Sequence, residues 1–195
     1  MMMRFTTVLL LNLALTGYSK GIAQTIQKTK KLPLRLSVFS QHVSLPSINR
    51  LGGRMNPGVK IATERYYTTN KRVSLFQSFD LGYAHHKSLD DLLFVTSEFG
   101  IRPKVERFFA DIKVGPGFMM SHTKNPFYQY KEHSWAQTGG WQKKLLITAG
   151  AGVGYAVKDL AVVLSWKWLL ETPYLVNESA VLPRQQLEAG FQIAL

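Results

Sequence analysis

The final twelve residues of the chain alternate in twos. Leu187, Ala189, Phe191, Ile193 and Leu195 are apolar or small on one side; Glu188, Gly190, Gln192 and Ala194 stand between them. A period of two is the mark of a strand whose faces meet unlike surroundings. The same alternation recurs upstream and predicts seven more strands: Leu34–Val43, Gly58–Tyr67, Arg72–His86, Leu92–Arg102, Arg107–Met120, Lys143–Val157 and Leu160–Leu170, with Arg184–Leu195 as the eighth. Two places break the pattern. Val38 and Phe39 are adjacent apolar residues, which predicts a slipped register or a bulge. Gln77 falls among the apolar positions of the third strand. The intervening segments alternate in length. Residues 68–71, 103–106 and 158–159 are short, 87–91 is intermediate, and 44–57, Ser121–Gln142 and 171–183 read as long loops.

The less apolar face carries Lys60, Glu64, Asp80, Glu98, Arg102, Asp111, Lys113, Lys167 and Glu188, with several glycines among them. Both signs of charge on one face, beside small residues, suit the interior of a closed eight-stranded sheet, which is only wide enough for side chains. Unpaired ions there would be costly, so a salt-bridge network is expected, with Asp111 and Lys113 meeting partners such as Arg102 and Glu98. Closing the last strand against the first also removes an apolar edge that would invite aggregation. The pattern thus predicts an all-β fold, an eight-stranded antiparallel up-and-down transmembrane β-barrel with lipid on its apolar face. A lipocalin has the same strand number with the faces inverted. Rows of glycine (Gly150, Gly152, Gly154; Gly115, Gly117) fit a crowded interior better than a hydrated surface. Aromatics near strand ends (Tyr66, Tyr67, Tyr83, Phe108, Phe118, Tyr155, Trp166, Trp168) read as interfacial girdles.

The front of the chain reads differently. Arg4 precedes the apolar stretch Val8–Leu15, too short to span a bilayer as a helix, and Gly21-Ile22-Ala23 offers small residues for a signal peptidase. Residues 1–23 are expected to be a cleaved signal peptide and 24–195 a single barrel domain opening on a basic lead-in. The chain has no cysteine, so neither disulfides nor a lipidated cysteine contribute. Its formal net charge of +12 is spread over the lead-in, turns and loops. That distribution argues against nucleic acid and for phosphate-rich lipid surfaces.

On the terminal strand Leu187–Leu195, the two-faced strands and the alternating connections, the chain resembles the small outer-membrane β-barrels of Gram-negative bacteria, the OmpA/OmpX-like eight-stranded class. In that family the last strand usually ends on an aromatic residue, where this chain has Leu195. The resemblance implies a bacterial outer-membrane location with both termini periplasmic, and recognition of Leu187–Leu195 by the barrel-assembly machinery. It further implies a plugged lumen and a structural or surface-interaction role through exterior loops bathed in outer-membrane lipid and lipopolysaccharide.

Motifs with independent chemistry are few. The glycines of Gly150-Ala-Gly152-Val-Gly154 share one face of a strand, whereas a dinucleotide-binding turn must lead into a helix. No cofactor is expected. The five histidines (His42, His85, His86, His122, His133) gather at one end of the strands. His85 and His86 point to opposite faces, so no metal site is expected from them. His42-Val-Ser44 has the His-x-Ser spacing of the outer-membrane lipid A deacylases, though it ends the first strand, where that family uses a late one. The lipid A palmitoyltransferase is a second enzymatic parallel, with exterior His, Asp and Ser residues and a lead helix for which residues 24–32 are too short. His42 and Ser44 are the candidate catalytic residues of that alternative, and a small pore is a third. For a protein or glycan partner, the interaction candidates lie in Ser121–Gln142: Lys124, Tyr128, Tyr130, Lys131 and Trp135. Aromatics there offer contact area at small entropic cost, and the lysines meet lipid phosphates.

Overall fold

The computed structural model describes residues 32–43, 56–70, 72–86, 90–131, 134–172 and 181–194, with 125–131, 134–139 and 194 as backbone only. The proposed signal peptide, most of the basic lead-in, Ser44, His133 and Leu195 lie outside the described residues. Eight strands form one closed antiparallel barrel in sequence order: β1 (Pro33–Val43), β2 (Pro57–Thr69), β3 (Val73–His85), β4 (Asp90–Val105), β5 (Phe108–Lys131), β6 (Ser134–Val157), β7 (Leu160–Thr172) and β8 (Leu182–Ala194). Closure runs along the whole of β1, from Pro33 opposite Ala194 to Val43 opposite Arg184. The barrel wall therefore closes on itself, as a sheet surrounded by hydrocarbon requires.

The two faces sort as the alternation predicts. Leu36, Val59, Leu81, Val95, Ile112, Ile147, Val153 and Leu164 stand exposed on the exterior, Ile112 at 65% and Val153 at 59%. The interior holds all nine of the charged residues assigned to it. An apolar outside and a charged inside exclude the lipocalin arrangement.

Three readings need correction. The largest concerns Ser121–Gln142. This stretch is strand, not loop: β5 and β6 are 24 residues each and pair as far as Lys131 opposite Ser134. Above Thr123, β5 has no partner in β4, and above Leu145, β6 has none in β7. The two continue as a ribbon, with a register shift between Thr123 and Phe127 and Gly140 at φ +96° at its base. Beyond the closed wall only the β5–β6 pairing holds these residues, so no lipid–lumen contrast imposes alternation on them. The second correction is at Phe39. No bulge forms there; β1 keeps one register with β2 and turns Phe39 inward. The third is Tyr66, which joins no girdle: its hydroxyl donates to Glu64 at 2.6 Å, on the lumen side.

Gln77 also finds its explanation. It sits at an outward position, yet the Tyr67 hydroxyl donates to its carbonyl and its amide donates to Ser97 Oγ at 2.7 Å. The polar side chain is satisfied before it meets lipid.

Candidate functional site

The lumen is built in layers. Near the short turns, Arg102 holds Asp111 through two contacts, Nε at 2.5 Å and Nη2 at 2.9 Å, and reaches Glu64 at 2.9 Å. Its guanidinium lies between the rings of Phe76 (4.6 Å) and Phe109 (4.5 Å), a cation–π sandwich. Arg35 completes the layer, bonding Glu64 at 2.6 Å and Gln192 at 2.7 Å.

The next layer is a lysine–carboxylate cluster. Lys167 bonds Asp80 at 2.9 Å and both oxygens of Glu98, and Lys60 bridges Asp80 at 3.1 Å and Glu188. Lys113 lies 3.6 Å from Glu98, as expected of it. Thr148 donates to the same Glu98 at 2.9 Å.

An apolar layer follows, of Phe39, Ala84, Leu92, Phe94, Met119, Leu146 and Leu169. Above it, beneath the end where the longer connections lie, Arg184 holds Glu171 (2.9 Å) and Asp90 (2.8 Å), Lys144 holds Glu171 (3.1 Å), and His86 lies 2.9 Å from Asp90. The alternation does not reveal this cap, because it places Asp90 and Glu171 in loops. A charge opposite a charge at strand ends was the only available signal.

Among the described residues the lumen therefore buries seven basic side chains (Arg35, Lys60, Arg102, Lys113, Lys144, Lys167, Arg184) and seven acidic ones (Glu64, Asp80, Asp90, Glu98, Asp111, Glu171, Glu188). The formal charge of these fourteen side chains cancels. Each ion is costly to bury alone and tolerable in such company.

The sequence candidates at the open end separate into groups. His42 is outward and half-buried; its described neighbour is Ser40, with Oγ 3.3 Å from Nε2, while Ser44 lies outside the described residues. His85 is exposed, bonded to Asp91 at 2.7 Å, with Lys124 3.4 Å from that carboxylate and donating to the His86 carbonyl at 2.8 Å. His122 packs against Trp141 at 5.3 Å. Tyr128, Tyr130, Lys131 and Trp135 lie in the ribbon, Tyr130 opposite Trp135 in register.

Neither protein-family models nor curated protein sequences match the chain. Solved structures do. Neisserial surface protein A aligns over 84% of this chain and 96% of its own, at 12% identity and a TM-score of 0.51. Its fold is that of the small OmpA/OmpX-like outer-membrane barrels. Ail, the attachment invasion locus protein of Yersinia pestis, aligns over 85% of this chain and 100% of its own (11% identity, TM-score 0.49). The outer membrane enzyme PagL does so over 84% and 99% (10% identity, TM-score 0.49). In an OmpA/OmpX-like barrel the walls are fixed by lipid and the lumen by side-chain volume. Freedom to vary remains at the open end.

Proposed function

We propose that this protein is a bacterial outer-membrane barrel with a plugged lumen and both termini in the periplasm, acting at the cell surface through the β5–β6 ribbon. The observation that carries this reading is the contrast between lumen and ribbon. The lumen is closed by three charge-balanced layers and one apolar layer, which leaves little to transport or transform. The ribbon extends eight residues beyond Thr123 on β5, about 25 Å at a strand's rise per residue, and spends them on aromatics and lysines. Its candidate contacts are Lys124, Tyr128, Tyr130, Lys131 and Trp135, and its candidate ligands are lipopolysaccharide and a protein or glycan at the cell surface. Insertion would proceed through the barrel-assembly machinery reading Leu187–Leu195, and residues 1–23 would direct export.

Replacing residues 124–139 by a two-residue Asn-Gly turn tests the reading, since Thr123 and Gly140 are already register partners. The barrel is expected to assemble and to lose binding to lipopolysaccharide micelles or to host-cell glycans. Unchanged binding would refute the ribbon's role. Acyl-chain release from lipopolysaccharide by the intact protein would support the enzymatic alternative at His42 instead.

A further inference from the structure

One polar cluster interrupts the apolar exterior, on β2–β4 near the short turns. It comprises Arg65, Tyr67, Gln77 and Ser97. Arg65 and Gln77 are register partners, and Ser97 pairs with Phe79, two residues along β3. Gln77 is only 4% exposed, tied between the Tyr67 hydroxyl and Ser97 Oγ. Tyr67 stacks on Phe99 at 6.3 Å and lies 5.8 Å from the Arg65 guanidinium. The uncharged members thus satisfy one another, and Arg65 stands exposed as a charge on an otherwise apolar wall.

A furrow begins at the edge of this cluster. Thr63, Phe79 and Val95 are the next outward residues after Arg65, Gln77 and Ser97, and with Ile61 and Leu81 they line a depression of about 270 Å³. Ile61 and Leu81 also line a second depression, about 530 Å³, that continues toward the open end past Val59, Leu36 and Phe191. Arg65 thus stands one outward position beyond Thr63 at the furrow's turn end, and the two adjacent depressions share Ile61 and Leu81. That is the shape of a phospholipid: a phosphate at one end and an alkyl chain leading away from it.

We propose that this face is a phospholipid site, in which the phosphate of an anionic phospholipid from the leaflet at the turn end rests against Arg65 and one acyl chain lies in the furrow. The charge at that end favours an anionic lipid, with Arg72, Arg107 and Lys158 set against Glu106 and Asp159 around the same rim. Lipopolysaccharide is the less suited occupant, because in the orientation proposed above its phosphates meet the barrel from the opposite end. The site itself depends only on the barrel spanning a bilayer.

Native mass spectrometry of the folded protein, offered equal amounts of phosphatidylglycerol and phosphatidylcholine, tests this. One phosphatidylglycerol is expected to be retained in preference. Arg65→Gln is expected to cut that retention about tenfold, as loss of a charged hydrogen bond implies. Lys158→Gln, at the same rim but off the furrow, is expected to leave it unchanged, while Ile61→Trp, which fills the furrow, is expected to reduce retention of both lipids. A heat-modifiable band on a gel confirms that each variant is folded. Equal losses in Arg65→Gln and Lys158→Gln would mean diffuse attraction and overturn the site. Full retention in Ile61→Trp would overturn the furrow's part, and no preference between the lipids would overturn the proposal outright.

Discussion

Phe39 fills the space that Gly58 leaves. The two are register partners on β1 and β2, and a Cβ built on Gly58 would fall 2.2 Å from Cζ of the ring. The relation recurs three times across neighbouring strands: Phe94 on Gly82, Phe76 on Gly100 and Phe109 on Gly154, each ring within 2.5 Å of the missing Cβ. Aromatic cover of a cross-strand glycine fixes register and uses the glycine's empty volume. Gly82→Ala is therefore expected to cost about 1–3 kcal/mol by overpacking. Combining it with Phe94→Leu should recover part of the loss, a coupling readable from urea unfolding in lipid vesicles. Additive costs would show that the ring and the glycine do not share the space.

The turn-end layer turns on Arg102. Its planar guanidinium serves two carboxylates while sandwiched by two rings, a task no ammonium reproduces. Arg102→Met leaves Asp111 and Glu64 with one arginine between them and is expected to destabilise the barrel by about 3–5 kcal/mol. Arg102→Lys should lose a large part of the same amount. Equilibrium unfolding of the two variants side by side would measure both, and a silent Arg102→Lys would contradict the sandwich's importance.

The exterior obeys a depth rule. Leu93→Arg and Val153→Arg, three and four residues in from their strands' nearer ends, are expected to cost about 2–4 kcal/mol, whereas Val105→Arg at a strand end should cost about 0–1 kcal/mol. Equal costs at all three positions would place the hydrocarbon elsewhere.

The lumen is expected to be silent in planar-bilayer recordings, because ion pairs fill three layers and the Phe39–Phe94 layer is dry. Leu146→Ala combined with Leu169→Ala should weaken the dry layer without opening a steady path, since the charged layers remain. A large stable conductance from the unaltered protein would contradict the plugged lumen.

What the sequence reveals follows from where each environment is local. Outward and inward positions alternate because lipid and lumen differ sharply, so Leu81 and Asp80 declare their faces unaided. Phe39, Phe76, Phe94 and Phe109 do not, because each is made suitable for the interior by a glycine on another strand. Gln77 looks anomalous for the same reason, its partners Tyr67 and Ser97 being ten and twenty residues away. Asp90 and Glu171 vanish into apparent loops, since their strands end where lipid no longer enforces alternation. The ribbon is lost likewise: above Thr123 only β5–β6 pairing marks residues as strand. The interaction candidates Tyr128, Tyr130 and Trp135 are legible as a cluster, but their spacing in register is not.

Lipid must touch the apolar face of a transmembrane barrel, and the absence of cysteine makes that contact directly measurable. Single cysteines at Leu81, Val95, Ile147 and Leu164, spin-labelled in the protein folded into bilayers, report what collides with them. Oxygen, which concentrates in hydrocarbon, is expected to relax these labels more than a water-soluble nickel complex does. The reverse order at all four positions, nickel above oxygen, would place water on the apolar face and contradict the transmembrane barrel.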